Sequence, residues 1–173
     1  MHAEQSFFIQ TVKTAHPQYF HGTRVLDIGS LDINGNNRQF FYACDYVGID
    51  IGPGANVDVV ARGHEYMSSE PFDVVISTEC FEHDEYWQET FWAVVNRHLK
   101  PGGLFVFTCA TTGRPEHGTR RTSPQDAPFV GDYYRNLTEA DYRAFINFDT
   151  IFQAHAFSSR VSPADLYFWG IKK

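Results

Sequence analysis

Two carboxylates at the ends of short apolar runs have the types and spacing most suited to ligand chemistry. Asp27 precedes Ile28 and Gly29 at the end of one run, and Asp50 ends a second run 21 residues after Gly29. A carboxylate offers two acceptor oxygens and can accept hydrogen bonds from both hydroxyls of a ribose. The pair therefore predicts a nucleoside site, with Asp50 on the sugar.

The loop after Gly29 argues against a dinucleotide. A dinucleotide fingerprint would need glycines at positions 29, 31 and 34, where this chain has Gly29, Leu31 and Asn34. The two missing glycines are those that let the backbone approach a pyrophosphate and let the following helix pack closely on the strand. A nicotinamide-dependent oxidoreductase is thus the weaker alternative, and a nucleoside without phosphates is favoured.

The segments that carry these residues have the pattern of a parallel sheet. Continuous apolar runs, typical of strands buried on both faces, occupy positions 24–29, 46–51, 57–61, 72–77 and 104–110. Helices are predicted over 4–19, 36–44 and 84–99, and another begins after Thr138. Two further runs, 148–155 and 165–171, predict a hairpin with an antiparallel strand. We therefore expect an α/β fold.

Five motifs in this order resemble those of class I S-adenosylmethionine-dependent methyltransferases. They are Val25-Leu26-Asp27-Ile28-Gly29, Tyr46-Val47-Gly48-Ile49-Asp50, Phe72-Asp73-Val74-Val75-Ile76-Ser77, Phe81-Glu82-His83 and Leu99-Lys100-Pro101-Gly102-Gly103-Leu104. The resemblance implies a Rossmann-like, doubly wound sheet of seven strands, mostly parallel with an antiparallel C-terminal strand. It also implies S-adenosylmethionine as cofactor and methyl transfer as the activity.

Carried over by position, the resemblance implies a cofactor site at the carboxyl ends of the strands. It places Asp27, Gly29 and Ser30 at the methionine part, Asp50 at the ribose and Ile51 on the adenine. It places Gly63 and His64 near the adenine amino edge, with Ser77 and Glu79 closing the far wall. Two departures are Leu31, which narrows the first loop, and Arg62, which stands where many relatives have an acidic residue. A purely structural alternative for Asp27 is the capping of local backbone amides.

Residues 111–135, called the lid segment below, follow the last predicted parallel strand and have no predicted secondary structure. Long irregular segments in compact domains are uncommon unless they cover or bind something. The segment begins with Arg114, Arg120 and Arg121 against Glu116, and guanidinium groups suit a carboxylate or phosphate. We predict a substrate lid in which these arginines, with Tyr133 and Tyr134, contact a small acceptor, an anionic one if the arginines bind it. The alternative is a solvated loop.

The chemistry implied by the resemblance needs few catalytic groups. A sulfonium methyl is already activated, so in-line transfer depends mainly on alignment and on exclusion of water. A general base is required only where the acceptor must lose a proton. His83 and His117 are the predicted candidates and Glu79 is a third, although Glu82 and His83 could instead stabilise the start of the following helix. A non-catalytic, nucleoside-binding domain remains the alternative function.

Composition bounds the remaining possibilities. The chain of 173 residues is 43% hydrophobic, which predicts one domain over 1–173 with an N-terminal helix within 1–22. Its net charge of −7 disfavours nucleic acid, and its longest uncharged stretch, 101–113, is too short to cross a bilayer. Three widely spaced cysteines predict neither a disulfide framework nor a metal site and, without a secretory leader, favour the cytoplasm. With so few insertions, a second subunit could complete the acceptor site, so a homodimer is an open alternative.

Overall fold

A seven-stranded sheet organises the computed structural model, which describes residues 2–173. The strands are β1 (Arg24–Ile28), β2 (Asp45–Asp50), β3 (Val59–Val60), β4 (Phe72–Thr78), β5 (Leu99–Ala110), β6 (Phe152–Arg160) and β7 (Asp165–Lys172). The α-helices are α1 (Ala3–Ala15), α2 (Trp87–Ala93), α3 (Glu139–Phe145) and α4 (Phe148–Ile151). Met1 lies outside the described residues.

The strand order is β3-β2-β1-β4-β5-β7-β6. Pairing is parallel throughout except at β7, which runs antiparallel to both β5 and β6. This arrangement confirms the predicted Rossmann-like sheet with its reversed C-terminal strand. Among residues 2–173, no helix is both long and apolar enough to span a membrane.

The continuous apolar runs reflect a sheet buried on both faces, except that the predicted run 57–61 is reduced to the edge strand β3, in which both valines are exposed. In β1, Val25 belongs to the cluster that packs under α1, and Leu26 belongs to the cluster under α2 and α3. Val74 and Val75 alternate between the same two clusters in β4. Both alternating faces therefore need apolar side chains, which explains the absence of a polar–apolar alternation.

Three predicted elements have different boundaries in the structure. The predicted helix 84–99 is α2 followed by a π-helical turn, Val94–His98, and β5 already begins at Leu99. The predicted helix 36–44 is reduced to a 3₁₀ turn, Asn37–Phe40. The predicted strand 148–155 begins instead with α4, because the Asn147 side chain accepts the Asp149 N–H at 3.1 Å and starts a helical turn.

The helix predicted after Thr138 is confirmed. Thr138 Oγ1 accepts the Asp141 N–H at 3.2 Å, and the Asp141 carboxylate accepts the Thr138 N–H at 2.9 Å, which is a reciprocal capping box. This cap fixes the point at which the chain leaves the lid segment and returns to the core.

Candidate active site

A cavity of about 600 Å³ opens over the carboxyl ends of β1, β2 and β4. Its walls are the loops that follow β1, β2 and β4, two stretches of the lid segment (114–117 and 122–130), and His2 and Gln5 at the start of α1. Strand order reverses between β1 and β4, so the cavity lies at the switch point where open parallel sheets bind ligands.

Asp50 ends β2 on the wall of this cavity. One carboxylate oxygen accepts the Leu31 N–H and the other accepts the Gly52 N–H, each at 3.2 Å. Burial raises the pKa of Asp50, while these backbone bonds act in the opposite direction. The two amides fix the carboxylate and leave acceptor capacity on both oxygens.

Gly29 lets the first loop pass directly against the loop that follows β4. Its φ is +78°, and a Cβ built there would lie 2.5 Å from the Cys80 Cβ. Only glycine meets both requirements without displacement. Ser30 Oγ then donates to the Asn56 carbonyl at 3.0 Å and anchors the same loop on its other side.

Asp27 lies beneath the cavity and is 1% exposed. Its oxygens accept hydrogen bonds from Asn37 Nδ2 at 3.0 Å and Tyr46 Oη at 2.6 Å. Burial raises the pKa of Asp27 to about 6, against the effect of these two donors. Asn37 also lines the cavity, and its Oδ1 is buried without a hydrogen-bond partner among the described residues. No motif in the sequence singled out Asn37.

The wall predicted for the adenine is only partly made of the expected residues. Ile51, Arg62 and Gly63 line the cavity. His64 does not, because its ring packs against Tyr86 with centroids 4.7 Å apart. Ser77 is also outside the lining: its hydroxyl donates to the Ile28 carbonyl at 2.8 Å and ties β4 to β1.

Three carboxylates gather near the opposite end of the cavity, where β4 and β5 end and β7 begins. Glu79 Oε1 accepts the Thr108 hydroxyl at 2.9 Å, and Glu82 Oε1 accepts the Ala110 N–H at 3.0 Å. Burial, with the Asp165 charge, raises the pKa of Glu79 to about 7. Burial, with the Glu79 charge, raises the pKa of Glu82 well above its ordinary value.

Arg114 is the cation that faces these carboxylates from the lid segment. It donates to Asp165 at 3.1 Å, and its second terminal nitrogen lies 4.0 Å from Glu79 Oε2. Its side chain is 14% exposed and that of Asp165 is fully buried. The guanidinium is therefore largely committed to a buried ion pair within the protein.

His83 and His117 meet beside these acids, with ring centroids 5.0 Å apart and the rings nearly perpendicular. Burial, and secondarily the His117 charge, lowers the pKa of His83 to about 3, so its imidazole is neutral and weakly basic. One ligand atom from each of Glu82, His83 and His117 lies within 4.8 Å of the others. The sequence analysis predicted no such group, because His117 is remote in sequence and reaches His83 only through the fold of the lid segment.

The comparison with known families decides the identity of the fold. A family model described as a methyltransferase domain matches residues 2–166. The chain belongs to this methyltransferase family. The resemblance of its five motifs to class I S-adenosylmethionine-dependent enzymes is thereby confirmed. A search of curated proteins finds no significant match.

Solved structures of other methyltransferases share the fold. N-methyltransferase NodS from Bradyrhizobium japonicum WM9, in complex with S-adenosyl-L-homocysteine, is 12% identical with a TM-score of 0.63, over 98% of this chain and 87% of that chain. The Burkholderia thailandensis 1,6-didemethyltoxoflavin-N1-methyltransferase, with bound 1,6-didemethyltoxoflavin and S-adenosylhomocysteine, is 15% identical with a TM-score of 0.63, over 98% and 83%. A methyltransferase in complex with the Haloferax volcanii Trm112 activator is 14% identical with a TM-score of 0.61, over 97% and 90%.

Of the residues predicted to contact the acceptor from the lid segment, Arg114 and His117 line the cavity of this methyltransferase and the other four do not. Arg120 and Arg121 lie outside the lining; Arg121 is exposed and pairs with Glu116 at 3.3 Å. Tyr133 and Tyr134 are also outside the lining, and the Tyr134 hydroxyl donates to Asn136 at 2.8 Å. The structure therefore does not bring the three predicted arginines together on one ligand.

Phe129 is one of the cavity-lining lid residues that no sequence pattern singled out. It lies so close to Gly52 that a Cβ there would be 1.9 Å from Phe129 Cδ2. Its ring thus covers the loop that follows Asp50, although 48% of the residue remains exposed. Phe129 and Gly52 are 77 positions apart in the sequence, so no local pattern predicts their contact.

Proposed function

We propose that this protein transfers a methyl group from S-adenosylmethionine to a small polar acceptor bound beneath the lid segment. The observation that carries the proposal is the position of Asp50: a carboxylate fixed by two backbone amides at the cavity wall, at the end of β2. The family match and the cofactor product bound in NodS support the same assignment.

The residues of the cavity suit this cofactor. Asp50 offers acceptor oxygens to a ribose diol, and Ile51 next to it provides an apolar surface for a purine. The unpartnered Asn37 Oδ1, held near Asp27, is an acceptor suited to an ammonium donor of the methionine part. When bound, the cofactor supplies an electrophilic methyl on a positively charged sulfur.

The protein's own contribution is to align the acceptor and exclude water. The lid segment closes over the strand ends, and the contact of Phe129 with Gly52 covers the nucleoside side. Fixing two reactants in line can contribute effective molarities of about 10⁵–10⁸ M at the upper limit. We therefore infer that positioning, rather than a strong general base, provides most of the rate enhancement.

The end of the cavity near Glu79, Glu82 and Asp165 is called the acceptor end below. Its charges favour a neutral, hydrogen-bonding acceptor over an anion. The guanidinium of Arg114 is paired with Asp165, and Glu79, which lines the cavity, lies 4.0 Å from it. An anionic acceptor would face the Glu79 carboxylate with no second cavity-lining arginine of the lid segment to offset it, since Arg120 and Arg121 lie outside the lining. The cavity volume of about 600 Å³ is typical of sites for small molecules. A cytoplasmic location and a homodimer stay predictions.

The first test is calorimetric titration of S-adenosylhomocysteine into Asp50→Asn. Loss of a charged acceptor for two hydroxyls should weaken binding by about 30-fold or more. The matched control is Asp45→Asn, which removes an exposed carboxylate from the start of the same strand. Equal affinity of both variants and the wild type would remove the basis of the proposal, and tight binding of NAD would favour the oxidoreductase alternative.

Turnover separates an enzyme from a binding domain. Formation of S-adenosylhomocysteine, measured over a panel of small alcohols, phenols, amines and carboxylic acids, should reveal acceptors among the neutral compounds. Tight cofactor binding with no product from any acceptor would support the non-catalytic alternative.

A further inference from the structure

Three side chains at the acceptor end of the cavity carry atoms that metal ions bind. Glu82, His83 and His117 place their ligand atoms within 4.8 Å of one another. Glu79 follows β4 on the same side of the cavity, three residues before Glu82. Glu79, His83 and His117 line the cavity, whereas Glu82 is fully buried behind it. The group therefore has an open side, and that side faces the acceptor.

Two polar atoms of this group, and one of Glu79 beside it, are buried without a hydrogen-bond partner in the described part of the chain. They are Glu79 Oε2, Glu82 Oε2 and His83 Nδ1. Unpartnered polar atoms are costly in an interior, and native proteins rarely keep several together. Glu82 is 0% and His83 9% exposed, so bulk water does not readily satisfy them.

The remaining atoms of the same side chains are already anchored. Glu79 Oε1 accepts from Thr108, and Glu82 Oε1 accepts from the Ala110 N–H. His117 Nδ1 lies 3.1 Å from the Pro115 carbonyl, which fixes the proton on Nδ1 and leaves Nε2 with its lone pair free. Metal-binding histidines typically donate their second nitrogen in this way.

Electrostatics favours a cation at the same place. Glu79 and Glu82 are buried near each other, and Arg114, the nearby cation, is engaged mainly with Asp165. Buried like charges are strongly unfavourable unless protons or a cation neutralise them. A proton shared between Glu79 and Glu82 is the alternative to a metal ion.

The lid segment is shaped to bring His117 into this group. Gly118 has a φ of +64°, and a Cβ there would lie 2.6 Å from the His83 ring. Glycine at this position lets the lid backbone approach His83 and places His117 next to it.

We propose that Glu82, His83 and His117 bind a divalent transition-metal ion at the acceptor end of the cavity. Two imidazoles with one carboxylate suit Zn²⁺, Mn²⁺, Fe²⁺ or Co²⁺, whereas Mg²⁺ and Ca²⁺ prefer oxygen ligands alone. The open coordination position would hold an acceptor through a hydroxyl or carbonyl oxygen. That second statement rests on the proposed function; the metal site itself does not.

The test is titration of chelator-treated protein with Co²⁺, followed by its visible absorption, and with Zn²⁺ in competition with a chromophoric chelator. The wild type should bind one equivalent, and His117→Ala should bind at least about tenfold more weakly. His117 is only half-buried, so this variant should fold. His21→Ala, at an exposed histidine remote from the cavity lining, is the matched control and should bind as the wild type does.

Two further measurements keep the outcome decisive. Glu82→Gln, checked for folding by circular dichroism, should weaken Co²⁺ binding as well. Absence of stoichiometric binding by the wild type would overturn the metal site in favour of the shared proton, and so would equal affinity in His117→Ala. Asp50→Asn should retain the Co²⁺ spectrum while losing S-adenosylhomocysteine, so failure of the metal site and failure of the proposed function are distinguishable.

Discussion

The two ends of the cavity are held by different kinds of interaction. At the nucleoside end, backbone amides of Leu31 and Gly52 fix Asp50, and the close approach of Gly29 to Cys80 shapes the loop. At the acceptor end, buried side chains with opposing charges hold one another, as Arg114 and Asp165 do. One end therefore depends on chain conformation, and the other depends on a balance of charges.

The largest expected effect is at the acceptor end, in Arg114→Ala. Removing one partner of a buried ion pair leaves Asp165 uncompensated and should lower the free energy of unfolding by about 3–5 kcal/mol. Urea denaturation measures this. Arg114→Ala combined with Asp165→Asn should recover much of the loss, and a double variant as unstable as the single one would contradict the charge balance.

The corresponding change at the nucleoside end is Gly29→Ala. Left-handed backbone and the clash with Cys80 together should cost about 2–4 kcal/mol of unfolding free energy. Gly102→Ala is the matched control, since Gly102 has a φ of +74° and no described atom within 4 Å of its Cβ position. Equal destabilisation of the two variants would mean that the close approach of the loops is unimportant.

Asp27→Asn should act in the opposite direction and stabilise the protein at neutral pH. The folded-state pKa of Asp27 is raised from 3.8 to about 6, so folding binds its proton more tightly than the unfolded chain does. The contribution of Asp27 to the free energy of unfolding is therefore most favourable below pH 4 and declines as the pH rises from 4 to 6. At pH 7 it is about 2–3 kcal/mol lower than below pH 4. The difference in unfolding free energy between variant and wild type should grow over that interval. If the difference in unfolding free energy between variant and wild type did not change with pH, Asp27 would not titrate over this interval.

The smallest effect is expected from Arg120→Ala with Arg121→Ala. Both residues are exposed and outside the cavity, and surface ion pairs such as Arg121–Glu116 contribute little. With an acceptor identified, KM should change by less than about twofold. A large increase in KM would show that the lid rearranges to bring these arginines onto the acceptor.

The same contrast explains what the sequence could predict. Local patterns predict the parallel strands and the placement of Asp27, Gly29 and Asp50. The patterns are an apolar run, a turn glycine and a carboxylate at a strand end. These are properties of neighbouring residues. The boundaries of short helices were less predictable, because side-chain caps such as that of Asn147 override the apolar pattern.

The acceptor end could not be predicted for a physical reason. His117 reaches Glu82 and His83 only because the lid segment folds back, and Arg114 pairs with Asp165 from 51 positions away. Contacts of this kind depend on the path of an irregular loop, which no period in the sequence describes. The expectation of three cooperating arginines rested on sequence proximity, which that path separates.

The ring of Phe129 packs against Gly52, the glycine that follows Asp50 and Ile51 at the nucleoside end of the cavity. Movement of this ring would therefore uncover the loop that follows Asp50. If product release requires that movement, the opening of the lid rather than methyl transfer would limit kcat, as in many enzymes with a lid over the active site. A smaller residue at this position should speed exchange of the spent nucleoside, at the cost of admitting water.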